Sequence, residues 1–277
     1  MRKAQFRALS AGLVVAVLSA ASLYATHSWG GYHWARLSNP FTLKLGDNLT
    51  TADWKSHLSQ TSSDWNSGNT PVITAIVGGT SRKRCSMVAG TTQVCNGSYG
   101  FNGWLGLASI NIIDGTHITQ GSAKMNDSYF NTSTYNNPNE REHVMCQEVA
   151  HTFGLDHQST DGSSQNSCMD YFSNTGTTNA GSTLSTKPNQ HDFDELNIIY
   201  AHLDSTTTVA ATTSLAGSAS EVSDDPNSWG QLVSQSKNGR SSTYEQFERD
   251  GSKTVTHVYW TLEAAANCPS CDHRFDR

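Results

Sequence analysis

The chain has 277 residues, a formal net charge of −6 at pH 7 and only 15% charged residues. It has no excess of positive charge, so we expect no nucleic-acid partner. Its length allows one sizeable domain plus an extension. The low charge and the many small polar residues are more typical of an exported protein than of a cytosolic one.

The N-terminus, residues 1–25, is typical of a secretory signal peptide. Three positive charges lie between residues 2 and 7, and a short apolar run covers residues 11–21. This run is shorter than the roughly 20 residues that span a bilayer, which disfavours the alternative of a retained membrane anchor. Cleavage fits equally well after Ala21 and after Ala25. We therefore expect a secreted, extracellular protein with no membrane contact once the signal is removed.

A main domain is predicted over residues 26–204. Its aromatic start, residues 29–34, is expected to fill the core rather than to stack on a sugar or peptide. A helix at residues 52–65 carries large apolar side chains on one face. Four β-prone apolar runs predict strands, at residues 42–45, 72–77, 104–113 and 117–124. A further helix after Pro188 has an apolar face that extends to Leu203 and is expected to close the domain.

Two segments follow the main domain. Residues 205–225 are rich in Ser, Thr and Ala and predict a linker. Residues 226–277 predict a small β extension and a tail, with an Asp-Gly hairpin turn at residues 250–251.

Six cysteines in an exported chain favour disulfides over free thiols. Cys85 and Cys95 enclose a short loop and are predicted to pair with each other. Cys268 and Cys271, in the tail, are expected to form a disulfide or to stay as thiols rather than to bind zinc, because the chain contains no second half of such a zinc site.

The stretch from Gln147 to His157 predicts a metal site. Residues four apart on a helix face the same way, so Gln147 and His151 can contact one ion. Glu148 lies three residues before His151 and faces the same site, where a general base is useful. Gly154 can adopt the left-handed conformation that ends a helix, which lets the chain turn and bring His157 back to the metal.

With His in place of Gln147, residues 147–157 would match H-E-x-x-H-x-x-G-x-x-H, the zinc signature of the metzincin metalloproteases. Together with Met169, this stretch resembles the metzincin clan, in particular its secreted bacterial matrixin-like and reprolysin-like members. The resemblance implies an α+β fold, with a twisted mixed sheet packed on helices, to which the small C-terminal β extension is added. Met169 would be the Met-turn residue, an apolar floor below the metal.

The resemblance also implies two long-range contacts. The segments that contain Cys146 and Cys168 would meet beneath the metal, which makes these residues the second disulfide. The strand at residues 104–113 would border the cleft, where it either pairs with an extended peptide substrate or is an ordinary core strand.

The activity implied by the resemblance is zinc-dependent hydrolysis of peptide bonds, with a protein or peptide as the substrate. Gln147, His151 and His157 would bind Zn²⁺, and Glu148 would act as the general base. Tyr171 matches the position at which astacins and serralysins carry a tyrosine that ligates the resting metal and then donates a hydrogen bond to the oxyanion. A core tyrosine is the alternative. No feature of the sequence indicates an oligomeric state.

Gln147 departs from the pattern, because an amide oxygen is a poorer zinc ligand than an imidazole. His143 lies about 12 Å from His151 along the helix axis, and Cys146 points about 140° away from it, so neither replaces Gln147. The sequence predicts a secreted zinc endopeptidase. The main alternative is a non-catalytic metzincin relative that binds peptide or metal without hydrolysis, and the next is a structural or adhesion protein with an incidental motif.

Overall fold

The computed structural model describes residues 27–80, 84–159, 164–171, 173–176, 184–212 and 221–267. The predicted signal peptide and the pair Cys268 and Cys271 lie outside these residues. In the described part of the chain, no helix is both long and apolar enough to cross a membrane.

Nine strands and five helices are present in the described residues. The strands are β1 His33–Trp34, β2 Phe41–Asn48, β3 Val72–Gly78, β4 Thr91–Gly97, β5 Trp104–Ile113, β6 His117–Asn126, β7 Gln231–Gln235, β8 Ser241–Phe247 and β9 Lys253–Trp260. The helices are α1 Ala52–Asn66, α2 Asp127–Phe130, α3 Pro138–His151, α4 Gln190–Ile199 and α5 Leu262–Ala266. The four strands and the helices predicted for the main domain are therefore found.

Three elements of the main domain differ from the prediction, and one of them is the short helix α2, which was not predicted. β4 was not predicted, because its sequence is mostly polar; it is a strand because it pairs with β2 on one side and β6 on the other. α4 ends at Ile199, with Tyr200 at its C-cap. The side chain of Leu203 lies beyond the helix and is 55% exposed, so the apolar face does not extend to it.

All nine strands belong to one mixed sheet. The strand order is β3–β2–β4–β6–β5–β9–β8–β7, and β1 pairs with β6. The pairs among β1, β2, β3, β4 and β6 are parallel, whereas every pair from β6–β5 to β8–β7 is antiparallel. The predicted α+β class, a mixed sheet packed on helices, is confirmed.

α1 and α3 pack against each other and against the sheet. The buried face of α1 includes Trp54, Leu58 and Trp65, the side chains that form its predicted apolar face. Thr51 caps the first turn of α1 and Asn137 caps that of α3, each by accepting a backbone N–H. Capping and packing together fix the position of α3, the helix that carries most of the predicted metal site.

β9 lies directly beside β5, so the C-terminal extension continues the main sheet. β8 and β9 form the predicted hairpin, and Gly251 at its turn is in the left-handed region (φ 87°). β5 pairs with β6 on its other side and is an interior strand. The expectation that β5 binds a peptide at an open edge is therefore wrong, and the alternative of a core strand is confirmed.

A buried lysine and an apolar cluster attach the C-terminal strands to the rest of the sheet. Nζ of Lys124 in β6 donates to the backbone oxygen of Val222 (2.7 Å) and to Oδ1 of Asp224 (2.8 Å). The buried apolar cluster next to it consists of Met87, Trp104, Leu107, Val222, Trp229 and Val258. The extension is thus held by side-chain packing as well as by strand pairing.

Both predicted disulfides are present. Cys85 is bonded to Cys95, and Cys146 to Cys168. The second bond connects α3 to the segment that contains Met169, as the resemblance implied. It therefore helps to hold that segment against the helix of the metal motif.

Candidate metal centre

The motif residues lie on α3 and on the turn that follows it. α3 ends at His151, and Gly154 is in the left-handed region (φ 95°), as predicted. A Cβ at residue 154 would clash with the backbone oxygen of Tyr32, so the packing also requires glycine here. The turn brings the ring centroid of His157 to 4.8 Å from that of His151.

The imidazoles of His151 and His157 are oriented in the way that metal ligands are. Nδ1 of His151 lies 2.8 Å from the backbone oxygen of Leu155, and Nδ1 of His157 lies 3.2 Å from Oδ1 of Asp156. These contacts keep the proton on Nδ1 and leave the lone pair on Nε2. Both Nε2 atoms are buried, and neither has a hydrogen-bond partner among the described residues. His143 also has a buried Nε2 without a described partner, but of these three residues only His151 and His157 have ligand atoms within 4.8 Å of each other, as a shared metal ion requires.

Gln147 lies one turn before His151 and holds the Met169 segment. Its Nε2 donates to the backbone oxygens of Cys168 (2.8 Å) and Asp170 (2.7 Å). Both acceptors are carbonyl oxygens, so the amide nitrogen must face them. The amide oxygen, Oε1, is buried and has no hydrogen-bond partner in the described part of the chain. Gln147 therefore keeps the one atom that the predicted ligand role needs.

His257 of β9 completes a group of three imidazoles. One ligand atom of each of His151, His157 and His257 lies within 4.8 Å of the others. The ring centroid of His257 is 3.8 Å from that of His151 and 4.8 Å from that of His157. His143 is not in this group: its Nδ1 lies 2.6 Å from the backbone oxygen of Ser185, which agrees with its exclusion on helix geometry.

The role of His257 is not predictable from the sequence for a structural reason. The residue lies in β9, where six consecutive residues are buried, and nothing in its local sequence marks a ligand. The available signal was indirect, because the motif lacks one imidazole and a histidine occurs in the strand-like run near the C-terminus. The predicted domain boundary placed residues 226–277 outside the main domain, and it therefore gave no reason to expect that histidine next to α3.

Glu148 lies next to His257, between α3 and the sheet. Its Oε2 is 3.0 Å from Nδ1 of His257, and Nε2 of the same ring is 2.6 Å from Oγ of Ser241. Its Oε1 is buried without a hydrogen-bond partner from the described residues. Gly106 of β5 allows this arrangement, because a Cβ there would lie 2.6 Å from Oε1.

Burial controls the protonation of the centre. It lowers the pKa of His151 and of His157 well below the ordinary 6.5, and the neighbouring imidazoles lower both further. Both rings are therefore neutral at neutral pH, which is the form that binds a metal ion. Burial raises the pKa of Glu148, and His257 partly offsets this effect. A carboxyl group with a raised pKa is a stronger base, as proton transfer from water requires.

Aromatic rings enclose the imidazoles. Trp29 stacks on His151 with 4.9 Å between ring centroids, and Tyr171 stacks on His157 with 4.0 Å between them. Met169 is fully buried. Burial raises the pKa of Tyr171, so its phenol keeps its proton and can donate a hydrogen bond. The ligand and oxyanion roles of Tyr171 and the Met-turn role of Met169 stay predictions.

The side chains of the centre fit a zinc ion. Catalytic zinc is held by three protein ligands, and three imidazoles are one of the established sets. The unpartnered Nε2 atoms support the fit for His151 and His157. His257 lies within reach as a third imidazole, but its Nδ1 contacts Glu148 and its Nε2 contacts Ser241, so it would bind a metal only by exchanging the Ser241 contact. The contacts made by Nδ1 of the first two rings are those that orient ligating histidines.

The centre is closed to solvent. Glu148, His151 and His257 have no exposed surface, and His157 is 5% exposed. β9 contributes His257 directly beside Glu148, and Trp29 stacks on His151. The buried surroundings strengthen electrostatic interactions within the centre and also restrict the entry of a substrate.

Comparison with known proteins gives only distant structural similarity. No protein-family model matches the sequence, and no match was found among curated proteins. Among solved structures, the chain is similar to myroilysin, with 14% identity and a TM-score of 0.34 over 61% of this chain and 96% of that one. It is also similar to high choriolytic enzyme 1, a hatching-enzyme zinc protease from Oryzias latipes, with 12% identity and a TM-score of 0.34 over 61% and 94%. At these values the similarity does not assign an activity to this chain.

Proposed function

We propose that this chain is a secreted zinc-dependent endopeptidase whose zinc ligands are His151, His157 and His257. The observation that supports it most is the convergence of three buried imidazoles beside the carboxylate of Glu148. The Oε2 contact with His257 is one that zinc binding alone would use, whereas hydrolysis needs a general base. Oε1 of Glu148 has no hydrogen-bond partner among the described residues, which favours an enzyme.

His257 and Gln147 are the two candidates for the third ligand. Imidazole is a more usual zinc ligand than an amide oxygen, which favours His257. Its Nε2 would have to exchange the contact with Oγ of Ser241 for the metal, while its Nδ1 stays with Glu148. Gln147 has committed its Nε2 to two backbone oxygens but keeps its Oε1 unpartnered within the described residues. It is therefore the alternative ligand, and in either case it positions the Met169 segment.

The side chains of the centre have separate roles in the proposed reaction. Zinc, when bound, would polarise the scissile carbonyl and lower the pKa of the attacking water. Oε1 of Glu148 would accept the proton of that water, while Oε2 stays bonded to His257. Glu148 would then pass the proton to the leaving amine, acting first as a base and then as an acid. The protonated phenol of Tyr171 would donate a hydrogen bond to the oxyanion.

Burial of the centre favours a second candidate, which is metal or peptide binding without hydrolysis. Glu148 has no exposed surface, and β9 occupies the side of β5 at which a peptide was expected. Hydrolysis requires β9 to move or the substrate to enter past another segment. Binding of a small metal ion requires much less displacement.

Zinc analysis combined with a proteolysis assay tests the proposal. We expect the secreted protein to cleave denatured casein, and His157→Ala to lose one zinc ion. Glu148→Gln should keep the zinc and lower the rate about 100- to 10,000-fold, the usual contribution of a general base. If the wild type does not cleave casein but His157→Ala still loses the zinc ion, the second candidate is supported. An unchanged zinc content in His157→Ala contradicts both.

Two alanine variants identify the third ligand. His257→Ala should weaken zinc binding by more than the roughly 100-fold that loss of a ligand's outer partner costs. Gln147→Ala should weaken it less, because it only releases the Met169 segment. The opposite order would make Gln147 the ligand and would leave His257 as a partner of Glu148. Competition with a chelator of known affinity measures both.

A further inference from the structure

A second group of metal-ligating side chains lies outside the centre on α3. It consists of His33 in β1 and of His202 and Asp204, which follow α4. Nε2 of His33 is 3.3 Å from Oδ1 of Asp204 and 3.1 Å from Nε2 of His202, and the third side of the triangle, from Nε2 of His202 to Oδ1 of Asp204, is 3.6 Å. Three donor atoms from two distant parts of the chain, residue 33 and residues 202–204, therefore lie close together.

His117 lies beside this group, although its ligand atoms are not within 4.8 Å of all three of the others. His33 and His117 are register partners on the parallel strands β1 and β6, so their side chains leave the sheet side by side. Their rings are in edge contact, with centroids 5.2 Å apart. Nε2 of His117 lies 3.4 Å from the same Oδ1 of Asp204. The carboxylate oxygen is thus bordered by three imidazole nitrogens.

The orientation of the group is fixed by contacts on its outer side. Oδ2 of Asp204 accepts from the backbone nitrogen of Arg36 (3.1 Å) and from its Nη1 (2.8 Å), which turns Oδ1 towards the histidines. Nδ1 of His33 lies 2.8 Å from the backbone oxygen of Gly31. The proton of a neutral His33 is therefore on Nδ1, and Nε2 presents a lone pair to the group.

Hydrogen bonding accounts for only part of this geometry. The 3.1 Å between Nε2 of His33 and Nε2 of His202 is within the usual range of about 2.7–3.2 Å, whereas the distances of 3.3, 3.4 and 3.6 Å from the three rings to Oδ1 exceed it. Zinc bonds of about 2.0–2.1 Å in a tetrahedral site place neighbouring donor atoms about 3.3–3.4 Å apart. The measured separations bracket that value.

We infer that His33, His202 and Asp204 form a second binding site for a zinc-type divalent cation. Two imidazoles and one carboxylate supply three ligands of a tetrahedral set, and the half-exposed side of His202 leaves the fourth position to water. The ion would connect β1 to the segment after α4. This site is independent of the proposed peptidase function and contains none of its residues.

Metal counting on the full secreted protein tests the second site. After removal of all metal and titration with Zn²⁺, wild type should bind two ions, His202→Ala one and His157→Ala one. The side chain of His202 is 52% exposed, so its loss should not prevent folding. His191→Ala is the matched control, because it removes an imidazole of α4 outside both groups and should leave two ions.

Titration with Co²⁺ in the His157→Ala background adds a readout of geometry. We expect the intense visible absorption of a tetrahedral Co²⁺ site, lost when His202→Ala is added, and a zinc-dependent rise in Tm of about 5 °C or more at saturating metal. A wild type that binds one ion, which His202→Ala loses, would support this site and contradict the peptidase centre. Unchanged metal content in His202→Ala would overturn the inference.

Discussion

A single glycine determines how closely α3 approaches the sheet. A Cβ at Gly106 in β5 would lie 2.5 Å from Cγ1 of Val144 and 2.6 Å from Oε1 of Glu148. Both atoms belong to the buried side of α3, and a close-packed core does not yield without cost. The absence of a side chain at residue 106 therefore positions the proposed general base.

Gly106→Ala should lower the free energy of unfolding by about 1–3 kcal/mol, the usual cost of overpacking a core. It should also lower casein cleavage, because the Glu148 carboxylate must move. Gly78→Ala is the control, since a Cβ at Gly78 meets no atom within 4 Å. Urea denaturation of both variants measures the difference, and equal stability would contradict this account of the packing.

Asp170, the residue before Tyr171, makes the free energy of unfolding depend on pH. Burial raises its pKa from 3.8 to about 7. Between these values the folded protein binds a proton that the unfolded chain has released. The free energy of unfolding is therefore highest at low pH and falls as the pH rises. The loss is about 1.4 kcal/mol for each pH unit within this window.

Asp170→Asn should therefore flatten the decline in unfolding free energy between pH 4.5 and pH 7. Urea denaturation at several pH values measures the slope in wild type and variant. The other buried acids are common to both proteins, so the difference reports Asp170. Asp194→Asn, on the exposed side of α4, controls for the loss of a negative charge. Parallel slopes for wild type and Asp170→Asn would show that Asp170 does not titrate in this range.

At the scale of elements, α3 holds the Met169 segment by two adjacent residues. Cys146 forms the disulfide with Cys168, and Gln147 donates to the backbone oxygens on both sides of Met169. One contact is covalent and the other polar, and both act on the same short segment. Gln147, the residue that departs from the metzincin pattern, thus has a structural role. A histidine could not take over this role, because no single ring nitrogen carries two N–H donors.

Removing the two disulfides separately should distinguish stability from metal binding. Cys146→Ala with Cys168→Ala should cost about 3 kcal/mol of unfolding free energy and weaken zinc binding, because it loosens the segment beside the centre. Cys85→Ala with Cys95→Ala should cost a similar amount without changing zinc affinity. Thermal unfolding and chelator competition measure the two effects. Equal zinc affinity in both double variants would contradict a link between the segment and the metal.

Features that depend on local interactions were predictable from the sequence, and features that depend on long-range pairing were not. β2, β3, β5 and β6 were predictable because their apolar residues have local β patterns, and so were His151, His157 and the Gly154 turn, which depend on helix spacing. β4 is a strand only through its neighbours, and His257 reaches α3 only through the pairing of β9 with β5. Local sequence does not contain that pairing.

At the scale of the whole molecule, the last strands complete the sheet rather than form a separate unit. They cover β5, bury Trp104 and Leu107 in a shared apolar cluster, and are anchored by Lys124. An exposed β5 would present unpaired backbone groups and large apolar side chains at an edge, which favours aggregation.

A chain that ends after residue 220 should therefore aggregate and bind no zinc at the first centre. Size-exclusion chromatography and zinc analysis of the refolded material measure both. A monomeric truncated protein with the near-UV circular dichroism of wild type would show that the first strands form a stable domain alone.

The position of His257 on the last strand also sets an order of events in time. The ribosome releases a chain from its N-terminus, so Glu148, His151 and His157 emerge long before the imidazole that completes the proposed ligand set. A nascent chain, or one still crossing the membrane, would hold an incomplete centre and could not hydrolyse the proteins around it. Activity would begin only after residue 257 had been delivered and the β8–β9 hairpin had joined the sheet.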